Sequence, residues 1–267
     1  MVLSPETYVL LYQIKDHGKM IKIRANASYE ETRERSYDVM KFASHDFSGS
    51  TFLVPKACFY DPGYNMITYF EVDGVVFINQ LSNPDISKKI TLIAQWLNKF
   101  HRLEKLNINL IEHQPFYNFK SLARFYPDLA KEGTEIIRDL KSKLSKFEEK
   151  LIHNDFQPNN IITSQDKITL IDFNDSQIDD PAIDLAKFLT QLKTMLFRFS
   201  DVSKFSNLEN IFMQNYTQDF NKENFKIYSK LSYLHIVSSL SASLLDGDVR
   251  KKEILTEVYK YFEEENA

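Results

Sequence analysis

Residues 151–163 read LIHNDFQPNNIIT, and residues 168–188 read ITLIDFNDSQIDDPAIDLAKF. In the first stretch the polar run His153 to Asn160 lies between the apolar pairs Leu151-Ile152 and Ile161-Ile162, and in the second the apolar run Ile168 to Ile171 ends on Asp172. Leu151-Ile152, Asn160 to Thr163 and Ile168 to Ile171 are too short for helices and rich in β-branched residues, so they read as strands. Ser164-Gln165-Asp166-Lys167 supplies a turn between the last two. A small β insertion therefore carries a cluster of oxygen-bearing side chains.

The chain around this insertion is helical. Apolar residues recur at helical spacing over Ile86 to Leu106, Thr134 to Lys150, Ala182 to Phe199, Leu208 to Phe220, Phe225 to Leu245 and Lys251 to Glu265. The first part of the chain differs. From Tyr8 to Phe70 the apolar runs are short and β-rich, broken by hairpin signals at Asp16-His17-Gly18-Lys19 and Asp61-Pro62-Gly63. One helix is expected to interrupt that sheet, over Ser28 to Phe42, where Ser28 and Glu31 match a capping box. Glu71 to Gly74 is the natural joint between a β lobe (1–73) and a helical lobe (74–267).

Composition narrows the class of partner. With 43% hydrophobic and 26% charged residues, the 267-residue chain can bury a sizeable core in one or two domains. A net charge of −4 offers no basic face for nucleic acid or anionic membrane, and slightly favours a cationic or zwitterionic partner. The N-terminal stretch lacks the basic start and apolar core of a signal peptide, and no apolar run is long enough to span a membrane, so a cytoplasmic protein is expected. The single cysteine, Cys58, forms no intrachain disulfide or cysteine metal cage, and reads as a buried strand residue.

Phosphoryl transfer needs a holder for Mg²⁺, a group to orient the attacking hydroxyl, and positive charge for the phosphates. Mg²⁺ takes hard oxygen ligands, for which Asn160 and Asp172 at adjacent strand ends are suited. Asp155 stands apart in the loop, where it could accept a proton. Each residue alone is equally a turn former, but H-x-D-x-x-x-x-N followed by a hairpin and an apolar strand ending in Asp-Phe has the order of kinase catalytic and metal-binding loops.

On these residues the chain resembles the aminoglycoside phosphotransferase and choline kinase family, which has the protein-kinase-like fold. LIHNDFQPNNIIT is similar to the family's catalytic loop, and ITLIDFNDSQIDDPAIDLAKF to its metal-binding strand and following D-P-x-x-D-L-A helix. QWLNKFHRLEKL (95–106) is similar to the helix that usually ends in Leu-His. The resemblance implies an α+β, bilobal fold with a small, N-terminally shortened antiparallel β lobe and a larger helical lobe. It also implies Asp155 as the catalytic aspartate, His153 as the brace of its loop, and Asn160 and Asp172 as Mg²⁺ ligands. Asp184 either holds the catalytic loop through backbone N–H groups or acts more directly, while Asp175, Asp179 and Asp180 either attract a cationic substrate or form a solvated turn.

For the nucleotide, Lys22 in GKMIKIRA resembles the family's strand lysine, although Lys19 and Arg24 are close by and a solvent-facing role is the alternative. With Glu31 assigned to the cap, Glu34 is the first choice for its helix partner and Glu30 the second. Met66 to Gly74 resembles the strand and hinge whose backbone reads a purine, which places Tyr69, Phe70, Glu71 and Val72 at the base. One departure stands out. None of the six glycines precedes Gly18, so no glycine-rich turn covers the phosphates. The corresponding position is Ser4-Pro5-Glu6-Thr7, and the strand before it is vestigial or absent.

These readings imply an ATP- and Mg²⁺-dependent kinase acting on a hydroxyl of a small molecule, such as an amino alcohol or aminosugar. The short path from Phe173 to Pro181 leaves no room for a peptide-cradling segment. Phe199, Tyr216, Tyr233 and His235 are either pocket or core aromatics. A nucleotide sensor without catalysis is the competing function, and a metal-dependent hydrolase is a third, unsupported by any His pair at ligand spacing.

Overall fold

The computed structural model describes residues 7–16, 19–28, 33–47, 49, 51–103, 122–243 and 248–264. The first lobe opens with two long strands, β1 (Thr7–Asp16) and β2 (Lys19–Ser28), paired antiparallel from Asp16↔Lys19 to Thr7↔Ser28. Helix α1 (Arg33–Asp46) follows, then β3 (Phe52–Leu53), β4 (Ala57–Asp61) and β5 (Met66–Phe70). Strand order is β1-β2-β5-β4, with β1 on the edge. The hairpin signals hold: the second turn closes where Asp61 accepts the N–H of Gly63 at 2.9 Å, an Asx turn.

Ser28 is the last residue of β2, paired with Thr7, and its side chain and Glu31, the two partners of the expected capping box, lie outside the described residues; α1 extends to Asp46 rather than Phe42. Cys58 is also corrected: it is exposed. The β4–β5 register slips between Ala57 and Phe59, so the bulge takes Cys58 out of the alternation that would have turned it inward.

The second lobe contains β6 (Val75–Val76), α2 (Ile86–Phe100), α3 (Pro127–Ser142), β7 (Lys150–Ile152), β8 (Ile161–Ser164), β9 (Lys167–Leu170) and β10 (Gln177–Asp179). It ends with α4 (Ala182–Phe199), α5 (Phe205–Asn215), α6 (Lys222–Ala242) and α7 (Val249–Glu264). The span of α4 matches the sequence periodicity. Helix α3 lies earlier than Thr134 to Lys150 because Pro127, with no N–H to lose, starts it and Lys150 joins a strand. No helix among the described residues is long and apolar enough to cross a membrane.

The two lobes share structure. Strand β3, from the first, pairs in parallel with β9, and β6 pairs with β8, giving a sheet ordered β3-β9-β8-β6. The indole N–H of Trp96 on α2 donates to the Leu53 carbonyl at 2.9 Å, adding a cross-lobe tie. Gly74 at the joint has φ +145°, and a Cβ there would lie 2.7 Å from both Ile162 Cγ2 and the Thr163 carbonyl oxygen. Only glycine allows β6 to approach β8 so closely.

The main core runs through both lobes: Val39 and Met40 of α1, Ile67 of β5, Ile90, Trp96 and Leu97 of α2, and Leu185 and Phe188 of α4 all belong to it. Phe156 and Phe173, from the two loops of the β insertion, are buried in it at 1% and 0% exposure. Phe156 packs between Trp96 (6.2 Å, stacked) and Phe188 (5.2 Å, tilted), and Phe173 meets Phe100 at 5.9 Å. Each buried ring contributes about 2–3 kcal/mol, which anchors the polar loops from below.

Candidate active site

The loop 153–160 is built on β7 and enters β8 through a short 3₁₀ turn, Pro158–Asn160. With Phe156 directed into the core, the neighbouring Asp155 is left half-buried at the loop's outer face. Its carboxylate accepts 3.0 Å bonds on both oxygens from the Gln157 amide, and a 2.6 Å bond from the Asn160 amide. Burial pushes the Asp155 carboxyl above its usual range, against the opposing pull of Lys187 and His153, while Asp175 adds to the rise.

Asn160 spends both amide protons on Asp155, since it also donates to the Asp155 carbonyl at 3.0 Å. Its amide oxygen is the acceptor that remains for a cation. Asp172 is brought beside it by the β8–β9 ladder: Ile161 pairs with Leu170, and the Ile171 N–H continues the ladder to the Asn160 carbonyl at 2.9 Å. Asp172 itself is exposed, with φ +66°, a left-handed conformation that Asp tolerates better than most residues. Asn174 donates to its Oδ1.

His153 joins these pieces. Its Nδ1 accepts the Asp155 N–H at 3.2 Å, so Nε2 carries the proton that it donates to the Ile171 carbonyl at 3.1 Å. One ring thereby sets the distance between the strand ends that carry Asp155 and Asp172. The ring packs edge-on to Phe173, 4.9 Å between centroids.

Asp184, in the first turn of α4, holds the same loop from beneath. Its Oδ2 accepts the His153 N–H and its Oδ1 the Asn154 N–H, both at 2.8 Å. It takes the loop-holding role of the two considered. His101, next after α2, donates or shares a proton with Asp184 Oδ2 at 3.0 Å and meets the Tyr216 hydroxyl at 2.8 Å through Nδ1. Burial alone would raise the Asp184 carboxyl, but the hydrogen bond and charge of His101 outweigh it and hold it below the ordinary range. Tyr216 is raised by its own burial, then by Asp184.

The acidic run divides on inspection. Asp180 is fully buried and accepts from the Ala182 N–H (2.9 Å) and the Asn224 amide (2.7 Å), so it ties α6 to the start of α4. Asp179 accepts from Gln177 and from the Asp180 N–H. Burial raises both carboxyls. Asp175 is the member whose charge reaches Asp155.

The remaining sequence expectations are scattered over the first lobe. Lys22 lies on β2, paired with Gln13; its side chain is outside the described residues, as are Glu30, Glu31 and Ser4. Glu34 is exposed on α1, where its charge bears on Tyr60 of β4. The α1 side chain buried against the loop after Asp172 is Arg35, 3.5 Å from the Ser176 carbonyl. Tyr69 and Phe70 end β5, and Glu71 and Val72 form the half-exposed link toward Gly74.

Tyr216 and Tyr233 are core residues, and Phe199 is exposed. His101, Lys187 and Gln157 were not marked by any local signal beyond their motifs. Their roles depend on which loop each helix meets.

A family model described as phosphotransferase enzyme family matches residues 13–204. No curated protein matches significantly. Solved structures match over almost the whole chain. The choline kinase LicA from Streptococcus pneumoniae has 18% identity and a TM-score of 0.63, covering 99% of this chain and 95% of that one. Spectinomycin phosphotransferase APH(9)-Ia with ADP and spectinomycin has 13% identity and a TM-score of 0.61, covering 99% and 87%. Amicoumacin kinase hAmiN with AMP-PNP, Ca²⁺ and Ami has 15% identity and a TM-score of 0.66, covering 98% and 87%. These likenesses establish the bilobal kinase-like fold.

Proposed function

This chain belongs to the phosphotransferase enzyme family, and we propose that it transfers the γ-phosphoryl group of ATP to a hydroxyl of a small molecule. The observation that carries this reading is the Asp155–Asn160 pair, which orients a carboxylate beside an amide oxygen and adjoins Asp172 through the Ile171–Asn160 backbone bond. An all-oxygen donor set of one amide and one carboxylate suits Mg²⁺, which takes its other ligands from phosphates and water. When bound, Mg²⁺ would neutralise charge on the β- and γ-phosphates.

The acceptor oxygen forms a bond to the γ-phosphorus as the bond to the ADP oxygen breaks. Asp155 orients the acceptor hydroxyl, then takes its proton late, because little charge develops on the nucleophile early in a loose transition state. Lys22, with Glu34 as its proposed helix partner, is assigned to the nucleotide phosphates, and the backbone of Tyr69 to Val72 to the base. The acceptor is assigned to the surface beside Asp155 and Asp175, where negative charge favours an amine-bearing alcohol or aminosugar.

A second reading, a nucleotide sensor without turnover, draws on one feature: no glycine precedes Gly18 to give the phosphates a close-fitting turn. Thermal-shift titration with ATP and Mg²⁺, followed by phosphate-transfer assays across choline, ethanolamine, aminoglycosides, homoserine and sugars, separates the two. Transfer to any of these at rates above ATP hydrolysis supports the kinase. Saturable nucleotide binding with no transfer across the panel supports the sensor.

A further inference from the structure

Asn154 is gripped at both ends by one helix. Its N–H is taken by Asp184, and its carbonyl and side-chain oxygens are taken by the Lys187 ammonium, the latter at 3.0 Å. Asp184 and Lys187 lie one turn apart on α4 and so share a face. Asn154 needs such a grip, because its φ of +58° is a left-handed conformation that L residues seldom adopt. The peptide unit that Lys187 holds is the one that leads into Asp155, and its orientation sets the direction of the Asp155 side chain.

We infer that Lys187 is a positioning residue for phosphoryl transfer: with Asp184 it clamps Asn154, and through it aims the Asp155 carboxylate, a role that rests on the transfer reading of this site. The clamp uses two of the three ammonium protons, so a charge-conserving guanidinium, with its several donors, can replace it while an apolar chain of similar length cannot. Asp184 would still hold the Asn154 N–H and His153 Nδ1 the Asp155 N–H, but the Asn154 carbonyl would lose its partner.

The experiment compares wild type, Lys187→Met and Lys187→Arg on the full chain by two readouts. Amide hydrogen exchange across residues 151–157, measured without nucleotide, is expected to quicken about tenfold or more in Lys187→Met and to return toward wild type in Lys187→Arg. In steady-state transfer, Lys187→Met is expected to lower kcat roughly ten- to hundredfold with the KM for ATP changed less than about twofold, and Lys187→Arg to recover most of the loss. Unchanged exchange in Lys187→Met overturns the inference whether or not an acceptor is known. Quickened exchange with unchanged kcat overturns it too. Should the wild type transfer phosphate to no acceptor, the kinase reading fails by that result, while exchange that quickens in Lys187→Met and recovers in Lys187→Arg still supports the clamp.

Discussion

Asp155 is the residue on which the proposed chemistry depends, and its surroundings make a sharp variant available. Asp155→Asn keeps the shape and can still meet Asn160 and Gln157 after rotation of the amide, but it cannot accept a proton. It is expected to lower kcat about 10²–10⁴-fold while nucleotide KM stays near the wild-type value, as steady-state kinetics will read. The loop residues stand out in the sequence by residue type and order: Asp155 as a proton acceptor, and Asn160 and Asp172 as oxygen donors suited to a cation. Cys58 was not legible, because its exposure follows from a register slip between β4 and β5 that depends on the partner strand. Arg35, buried where α1 meets the loop after Asp172, likewise depends on which face of α1 turns inward.

Between elements, a principal polar joint is Asp184, fully buried with His101 and bonded to two loop N–H groups. Asp184→Asn leaves those donors facing an amide that accepts at only one atom, and is expected to cost about 3 kcal/mol in denaturant unfolding at pH 7. The sign with pH follows from the depressed carboxyl. Its stabilisation is complete above the ordinary carboxylate value of about 4 and is lost as pH falls through the lower folded value. The stability gap between wild type and Asp184→Asn should therefore narrow below about pH 4, measured by urea unfolding at stepped pH. At the β6–β8 contact, Gly74→Ala would meet Ile162 and Thr163 in a backbone conformation hostile to L residues, and is expected to destabilise by about 3 kcal/mol by the same measurement. Strand and helix types were readable from periodicity, whereas the bounds of α3 were not, since Lys150 leaves the helical pattern to pair with Asp179 of β10, a partner invisible to a local motif.

For the molecule as a whole, a continuous core, the β3–β9 pairing and the Trp96–Leu53 bond join lobes whose sequences look like separate units. Nucleotide binding to the native state alone should add stability by mass action, about 2.7 kcal/mol at a hundredfold excess over Kd. Mg²⁺ with ATP is thus expected to raise Tm, and Asp172→Asn to abolish most of that rise while leaving the ligand-free Tm close to wild type, since Asp172 is exposed and Asn tolerates its left-handed backbone; differential scanning fluorimetry reads both. By itself the sequence determined the two textures, the helical second lobe and the residue types of the loops at 153–160 and 172–176, because periodicity and residue chemistry are local properties. Only the tertiary structure decided how those loops are held: Asp184, His101, Tyr216 and Lys187 come from three regions of the chain and act on the loop through space. Buried hydrogen bonds of that kind depend on packing between distant elements, which no spacing along the chain encodes.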